Sequence, residues 1–508
     1  MKFTLKPFVD LILIRNLSIL TICFLFSFTA CGSGGGGGSG NEGGYSITAD
    51  YIITGSGAEF TAFDKNGNIV GTADEPIDDV IGGIKADAAA NAIDGCSIQF
   101  GKDDSILDIE EEFISFNNSS GSWGKITLLG KITSANSTAG RGTIFLAGGD
   151  SISIDSYADI ANTSSGNAIM HNGDGSLTIN GGTVKADAGV AVYHNNNISS
   201  GKIIISGGIV TSKNTNPSSG TINLADIGGT TDTRLEISGG TVSNTSAEPT
   251  GNAIYNNSIG AVNIIGGTVT TTAKIGSAIC NKNTGEVSIS AGTVEAKEAD
   301  IGKQGYTITD SKGKITISGT ALVTSAFHPG ATIYCESAAS NIEITGGTVR
   351  NTSDGHAIVN GSSNGNAGTV TISAGTVESI GAAINSPYAG GVVNVSGGLI
   401  RGTINRAISC HASVMLTISG GTVFAWTSTF TPTVIFPSIT PTGDGLIIGW
   451  KHKYCDGDCT YSKNSSDDLE SKPAATKVWD KVNGKSGISY SYESNTGFIA
   501  IDEVEVVE

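Results

Sequence analysis

The chain has 508 residues, with 72 glycines, 10 prolines, 15% charged residues and a formal net charge of −18 at pH 7. So acidic a chain disfavours nucleic acid and anionic lipid as partners, and the scarcity of proline excludes a proline-rich disordered protein. Because only 6% of the residues are aromatic, the core has to come from Ile, Val, Leu and Ala.

The first residues predict export. Lys2, Lys6 and Arg15 precede the apolar run LSILTICFLFSFTA at 17–30. That run is too short for a stable membrane span, so residues 1–30 are predicted to be a secretory signal peptide. Removing their net charge of +2 leaves −20 for the rest of the chain.

The end of this segment reads FTAC at 28–31 and is followed by Gly32. It resembles the lipobox of bacterial lipoproteins. The resemblance implies that Cys31 is lipidated, that the lipid holds the chain in a membrane, and that the protein lies in the bacterial outer membrane or at the cell surface. An ordinary signal peptide that is cut nearby, with a chance cysteine, is the alternative.

Two short segments separate the leader from the repeats. Residues 31–44 are rich in glycine and serine, which is typical of a flexible tether. Residues 45–80 contain two short strand patterns, at 45–53 and 59–63, around the turn DKNGN. We expect 45–80 to be an N-terminal cap, because a solenoid must cover its open end.

A short phrase recurs through residues 81–426, which are predicted to be one repetitive domain. Clear copies are LEISGGTV at 235–242, VNIIGGTV at 262–269 and LTISGGTV at 416–423, and successive copies start 23 to 32 residues apart. A period of this size indicates a repeat architecture. Apolar and polar residues alternate before the Gly-Gly pair, which predicts a strand, a glycine corner and a second strand.

These features predict an all-β fold, a parallel β-helix with one turn for each repeat. No period contains a helix-length apolar pattern, a propeller blade needs about 40 residues, and the leucine-rich consensus is absent. We expect right-handed crossovers, since these are usual between parallel strands. The N-terminal cap and a small C-terminal β-rich segment complete the predicted fold.

A second phrase, GNAIYN at 251–256 and its relatives, predicts a third strand in each turn. If its Ile points inward, the residue two positions later does so too. That column holds small polar or sulfur-containing side chains: His171, His194, Asn256, Asn281, Cys335, Asn360, Ser386 and Cys410. Stacked polar side chains can form a hydrogen-bonded ladder, and the column is too mixed for a row of metal ligands or catalytic groups. The prediction is a structural ladder.

The residue directly after the same Ile is predicted to point outward. Tyr193, Tyr255 and Tyr334 fall at this position in three turns. A tyrosine combines a flat apolar ring with a polar tip, which suits stacking on sugar rings, so these three are candidate ligand contacts. Burial beneath loops or the C-terminal segment is the alternative.

Residues 427–508 are predicted to be a proline-containing linker followed by a β-rich segment, with strand patterns at 446–450, 488–492 and 498–501. Cys455 and Cys459 could close a tight disulfide in an oxidising compartment, and two free thiols are the alternative. A zinc site would need two more ligands, and only His452 is near in sequence.

The sequence leaves the enzyme question open and favours a non-catalytic role. Pectate lyases and polygalacturonases share the parallel β-helix, but their sites need grouped carboxylates beside a basic residue. The nearest sequence match is DGHA at 354–357, and acidic pairs such as 78–79 and 103–104 fall in caps or loops. Calcium at turns such as 172–175 is the one cofactor considered, against a plain Asx turn, and no metal site is assigned.

Taken together, the leader and the I-x-I-S-G-G-T-V repeats resemble bacterial cell-surface lipoproteins among the pectin-lyase-like, β-helical adhesin and carbohydrate-binding repeat proteins. The resemblance covers residues 80–425 and the leader. It implies a lipid-anchored surface protein that acts non-catalytically in adhesion or glycan binding, with a glycan or a component of a host or neighbouring surface as partner. A polysaccharide lyase or glycoside hydrolase of the same fold and a purely structural surface-layer protein are the alternatives.

Overall fold

The computed structural model describes residues 49–426 and four later strands, with gaps at 58, 72–76, 94, 118–121, 139, 196–200, 226–230, 298–304, 328, 364–365 and 403–405. These residues form an all-β solenoid of about 12 turns built from parallel strands, so the predicted parallel β-helix is confirmed. The predicted signal peptide, Cys31, the tether and the pair Cys455 and Cys459 lie outside the described residues.

Two sheets line the solenoid: sheet A has 25 strands and sheet B has 13. Each turn passes through a first and then a second strand position in sheet A and continues into one strand of sheet B. The strands of sheet B are Ile114–Asn117, Gly142–Ala147, Asn167–His171, Val192–His194, Gly220–Leu224, Asn252–Asn256, Ile279–Asn281, Tyr306–Asp310, Ala331–Cys335, His356–Asn360, Ile384–Ser386, Ile408–Cys410 and Val434–Ile435.

Sheet A contains strands of two lengths. Long strands run through both positions of a turn: Lys125–Ser134, Ala261–Thr271, Val287–Ala296, Asn341–Asn351, Thr369–Ser379, Val392–Gly402 and Met415–Trp426. Short strands at the first position are Cys96–Phe100, Ser151–Ile154, Leu177–Ile179, Ile203–Ile205, Thr233–Ile237 and Lys314–Ile317. Those at the second are Ile106–Asp108, Asp159–Asn162, Thr183–Ala186, Ile209–Ser212, Thr241–Asn244, Leu322–Ser325, Leu446–Trp450 and Phe498–Ala500.

The core is a set of stacked aliphatic columns. In one turn Val262, Ile264, Val269 and Ile279 are all fully buried. Each lies in register with an aliphatic residue of the next turn; Ile264, for example, pairs with Ile289. Since neighbouring strands lie about 4.8 Å apart, twelve such spacings give a stack roughly 60 Å long. The burial of these columns drives the fold.

The Gly-Gly pair makes the corner between the two strand positions of sheet A. Gly240 has φ of +70°, in the left-handed region that costs a side chain the most. A Cβ on this residue would lie 2.6 Å from the carbonyl group of Gly207 in the preceding turn. Both the backbone conformation and the lack of space for a Cβ therefore favour glycine at this position.

A helix and an antiparallel hairpin cover the N-terminal end of the solenoid. The strand Glu59–Asp64 pairs antiparallel with both Tyr51–Ser56 and Ile69–Gly71, and Tyr51–Ser56 pairs in parallel with Cys96–Phe100. The helix Ile77–Ala90 buries Ile77, Val80, Ile81, Ile84 and Ala88, which share one helical face.

The repetitive domain is predicted from the sequence to begin at residue 81, whereas in the structure residues 77–90 form this helix. The helix contains a Gly82-Gly83 pair, like the glycine corners of the repeats.

At the other end of the chain, the strand Ser491–Glu493 pairs antiparallel with Phe498–Ala500.

Candidate functional site

The predicted inward column lies inside sheet B. His171 pairs with His194, and then Leu224, Asn256, Asn281, Asp310, Cys335 and Asn360 follow in register. All these side chains are buried. Leu224 and Asp310 also belong to this column, although the sequence did not lead us to assign them to it.

Asparagine amides link part of this column. Asn256 donates from Nδ2 to Oδ1 of Asn281 at 2.9 Å, and Asn281 donates to Oδ1 of Asp310 at 2.7 Å. Burial raises the pKa of the Asp310 carboxyl, although the amide of Asn281 and the N–H of Gly313 oppose this. Further along, Asn360 donates to Ser386 Oγ at 3.3 Å.

Two buried histidines begin the column. The rings of His171 and His194 lie 4.7 Å apart, edge to face. Burial lowers the pKa of His171 to about 4, with the nearby Arg234 adding to the effect. Burial, His171 and Arg234 together lower the pKa of His194 to about 3. Both rings are therefore neutral at physiological pH, which suits a core position and not a proton-transfer site.

A second polar column, which the sequence analysis missed, lies at the corner between sheet A and sheet B. It consists of small buried polar residues at the end of the second strand position: Ser134, Asn162, Ser212, Asn244, Thr271, Ser325, Asn351 and Ser379. Asn244 shows the role: Nδ2 donates to the carbonyl oxygens of Asn214 and Asn252, at 2.8 and 3.2 Å. The signal was available in the sequence, because each residue stands two positions after the buried Val or Ile of the second strand position.

The three predicted tyrosines lie on the outward side of sheet B. They belong to one register column, here called the tyrosine face: Met170, Tyr193, Asn223, Tyr255, Cys280, Thr309, Tyr334 and Val359. Tyr193 and Tyr255 are two strands apart, about 10 Å, and Tyr334 is three strands further. All three are partly buried, and burial raises the pKa of each hydroxyl.

The tyrosines have different surroundings. The ring of Tyr334 is stacked on that of Tyr306, with centroids 4.3 Å apart and planes 10° apart. The hydroxyl of Tyr255 is hydrogen-bonded to Ser218. Tyr193 lies in a groove of about 560 Å³, with Met170 beside it. Of the three predicted tyrosines, Tyr193 is the one that lines this groove.

The groove runs along the corner between sheets A and B, over the turns that contain residues 140–219. Its lining is mostly amide, hydroxyl and backbone. Besides Tyr193, the polar side chains are Ser165, Asn167, Asn195, Asn214, Thr215, Asn216 and Ser219. Asn214 Oδ1 accepts the N–H of Asn216 at 2.8 Å, and Asn216 Oδ1 accepts that of Ser218 at 2.9 Å. These hydrogen bonds hold both side-chain amides in place. No periodic pattern marks these two residues in the sequence, because they lie in a loop between strands.

An ion pair lies further along the outward side of sheet B. Lys282 Nζ contacts the Glu336 carboxylate at 2.9 Å, and Ser311 Oγ donates to the same carboxylate. Burial would lower the pKa of Lys282, but Cys280 and Glu336 outweigh it and the pKa is raised. A protonated lysine that is already paired is a poor general base.

The residues considered for catalysis are dispersed. His356 contacts the carbonyl of Ala382 through Nδ1 and the amide of Asn385 through Nε2. Asp78 lies in the helix of the cap and accepts the N–H of Ser115. Within the described part of the chain, no three His, Cys, Asp or Glu residues are grouped so that they could hold a metal ion. Cys96, Cys280, Cys335 and Cys410 are buried free thiols.

No protein-family model, curated protein or solved structure matches this chain. In the part of the chain that the structure describes, no helix has the length and apolar character needed to cross a bilayer.

Proposed function

We propose that this protein is a lipid-anchored, surface-displayed β-helix that binds glycans without cleaving them, and so serves adhesion or glycan capture. The observation that carries the proposal is the groove on sheet B. It sets a tyrosine ring among amides and hydroxyls, which is the combination of stacking surface and hydrogen-bonding groups that sugars require.

Two sequence features support display at a surface. The leader with Cys31 would fix one end of the chain to a membrane, and the glycine-rich residues 32–44 would hold the solenoid away from it. A net charge of −20 outside the leader keeps such an exposed protein soluble.

The proposal is tested with a glycan array probed with the full chain purified in detergent. Each glycan that binds is then incubated with the protein and assayed for new reducing or unsaturated ends. We expect binding with no new ends. Product formation would contradict the proposal and support a polysaccharide-degrading enzyme; a silent array with self-association in solution would support a structural surface layer.

A further inference from the structure

We infer that the groove takes an uncharged sugar residue of a polysaccharide, stacked on Tyr193, and discriminates against uronic acids and sulfated or phosphorylated sugars. This inference rests on the proposed function and deepens it by naming the ligand class. The observation behind it is that the Tyr193 ring lies among side-chain amides, and that the described residues lining the groove include no charged side chain.

The lining carries no charge. None of the described residues that line the groove is Asp, Glu, Lys, Arg or His. An anionic sugar would lose water on entering and gain no cation in exchange, which is costly for any charge. The net charge of −20 outside the leader would add long-range repulsion.

Three charged residues adjoin lining residues in sequence: Arg141, Asp187 and Lys213. Lys213 precedes Asn214, is exposed and does not itself line the groove. The other two have partners. Arg141 follows the lining residue Gly140, and its guanidinium lies 4.3 Å from the ring centroid of Phe145 and 5.2 Å from that of Phe113. Asp187 precedes another lining residue and pairs with Lys185 at 3.3 Å. A cation that packs on two aromatic rings is not freely available to neutralise a carboxylate in the groove.

Amides match sugar hydroxyls better than they match anions. A side-chain amide offers both donors and an acceptor, and a hydroxyl likewise donates and accepts, whereas a carboxylate only accepts. Asn167 donates through Nδ2 to the carbonyl of Arg141 at 3.1 Å, so its side chain too is fixed by the protein. Preorganised groups of this kind lose little entropy when a ligand binds.

The tyrosine face also sets the direction of a longer ligand. Ser219 lines the groove and accepts a hydrogen bond from Asn223, which pairs in register with both Tyr193 and Tyr255. A chain of sugars that stacks on Tyr193 and continues along the solenoid axis would reach Tyr255 after about 10 Å. Longer oligosaccharides should therefore bind more tightly than single sugars.

The test uses one polysaccharide in two charge states. Polygalacturonate and its carboxyl-reduced, neutral form share a backbone, and a small panel of neutral β-glucan, mannan and xylan is run beside alginate and chondroitin sulfate. Binding of the full chain is measured by affinity electrophoresis and isothermal titration at 50 and 300 mM NaCl. We expect binding to neutral glycans, little dependence on salt, and no measurable binding to the anionic forms.

Two matched variants test whether the ligand binds in the groove. Tyr193→Ala should weaken binding about tenfold or more, since it removes the stacking ring. Tyr157→Ala is the control, because Tyr157 is 54% exposed and lies on the other sheet, between Ser151–Ile154 and Asp159–Asn162. Circular dichroism confirms that each variant is folded.

The outcomes separate the two proposals. Preferential binding of the anionic forms would overturn the inference and leave glycan binding standing. Neutral binding that Tyr193→Ala leaves unchanged would overturn the assignment to the groove. No binding to any glycan would overturn both.

Discussion

Acid should destabilise the solenoid through its two buried histidines. An unfolded histidine titrates near pH 6.5, whereas the pKa is about 4 for His171 and about 3 for His194 in the fold. Above pH 6.5 neither state is charged and the pair has no effect on the pH dependence. As the pH falls below 6.5, the two histidines bind protons in the unfolded chain but not in the folded chain. The free energy of unfolding therefore decreases.

The magnitude follows from the size of the pKa shifts. Each histidine costs about 1.4 kcal/mol for every pH unit between the unfolded and the folded pKa. From pH 6.5 to 5 the loss is therefore roughly 2 kcal/mol for each residue and roughly 4 kcal/mol for both. Burial raises the pKa of Asp310 and Asp78, which acts in the opposite direction. A variant comparison cancels that contribution because both proteins retain these carboxyls.

The variant is His171→Asn with His194→Asn, since asparagine already occupies the same inward position at 256, 281 and 360. Urea unfolding is followed by circular dichroism at pH 7.5, 6.5, 5.5 and 5. We expect the midpoint of the parent to fall more steeply with acidification than that of the variant. Parallel curves for the two proteins would refute the reasoning about the buried pair.

Three other substitutions probe the repeat, the anchor and the polar ladder. Gly240→Ala should lower the free energy of unfolding, measured in urea, by about 1–3 kcal/mol, because Gly240 has a positive φ and no room for a Cβ. The control is Gly82→Ala on the exposed face of the helix, where a Cβ would meet open space. It should be neutral or stabilising. Cys31→Ala should abolish labelling by radioactive palmitate and move the protein from the membrane to the soluble fraction; an unchanged distribution would contradict lipidation. Asp310→Asn keeps the acceptor for Asn281 and removes a buried charge, so it should raise the urea midpoint at pH 7.5 more than at pH 5. An equal shift at both pH values would show that ionisation of Asp310 does not affect stability.

Local alternation and glycine spacing made the solenoid readable from the sequence. Each copy of the phrase repeats the same alternation, so Ile264 and its equivalents could be assigned to the core before the turns were seen. Positions that depend on contacts between turns were harder. Asp310 was not assigned to the inward column, although its strand Tyr306–Asp310 has the same Thr-Ile pair as Ala331–Cys335. The start of the repetitive domain was placed at residue 81, inside the helix Ile77–Ala90. In that helix the apolar spacing of Ile77, Ile81 and Ile84 outweighs the low helix propensity of glycine.

Only part of the candidate site could be predicted from the sequence. The alternation placed Tyr193 on an outward column, and the register of sheet B shows that column directly. The groove around it depends on Asn214 and Asn216, which lie in an irregular loop whose path is set by hydrogen bonds to the neighbouring turn. No periodic pattern encodes such a path, so the sequence could not show which tyrosine has polar neighbours.

The glycan-binding surface can be located by hydrogen–deuterium exchange of the full chain, with and without the neutral polysaccharide that binds most tightly. We expect added protection in peptides that contain residues 165–171, 188–195 and 214–219, with sheet A unchanged. Protection confined to sheet A, or no protected segment at saturating ligand, would contradict the claim that the outward side of sheet B is the glycan-binding surface.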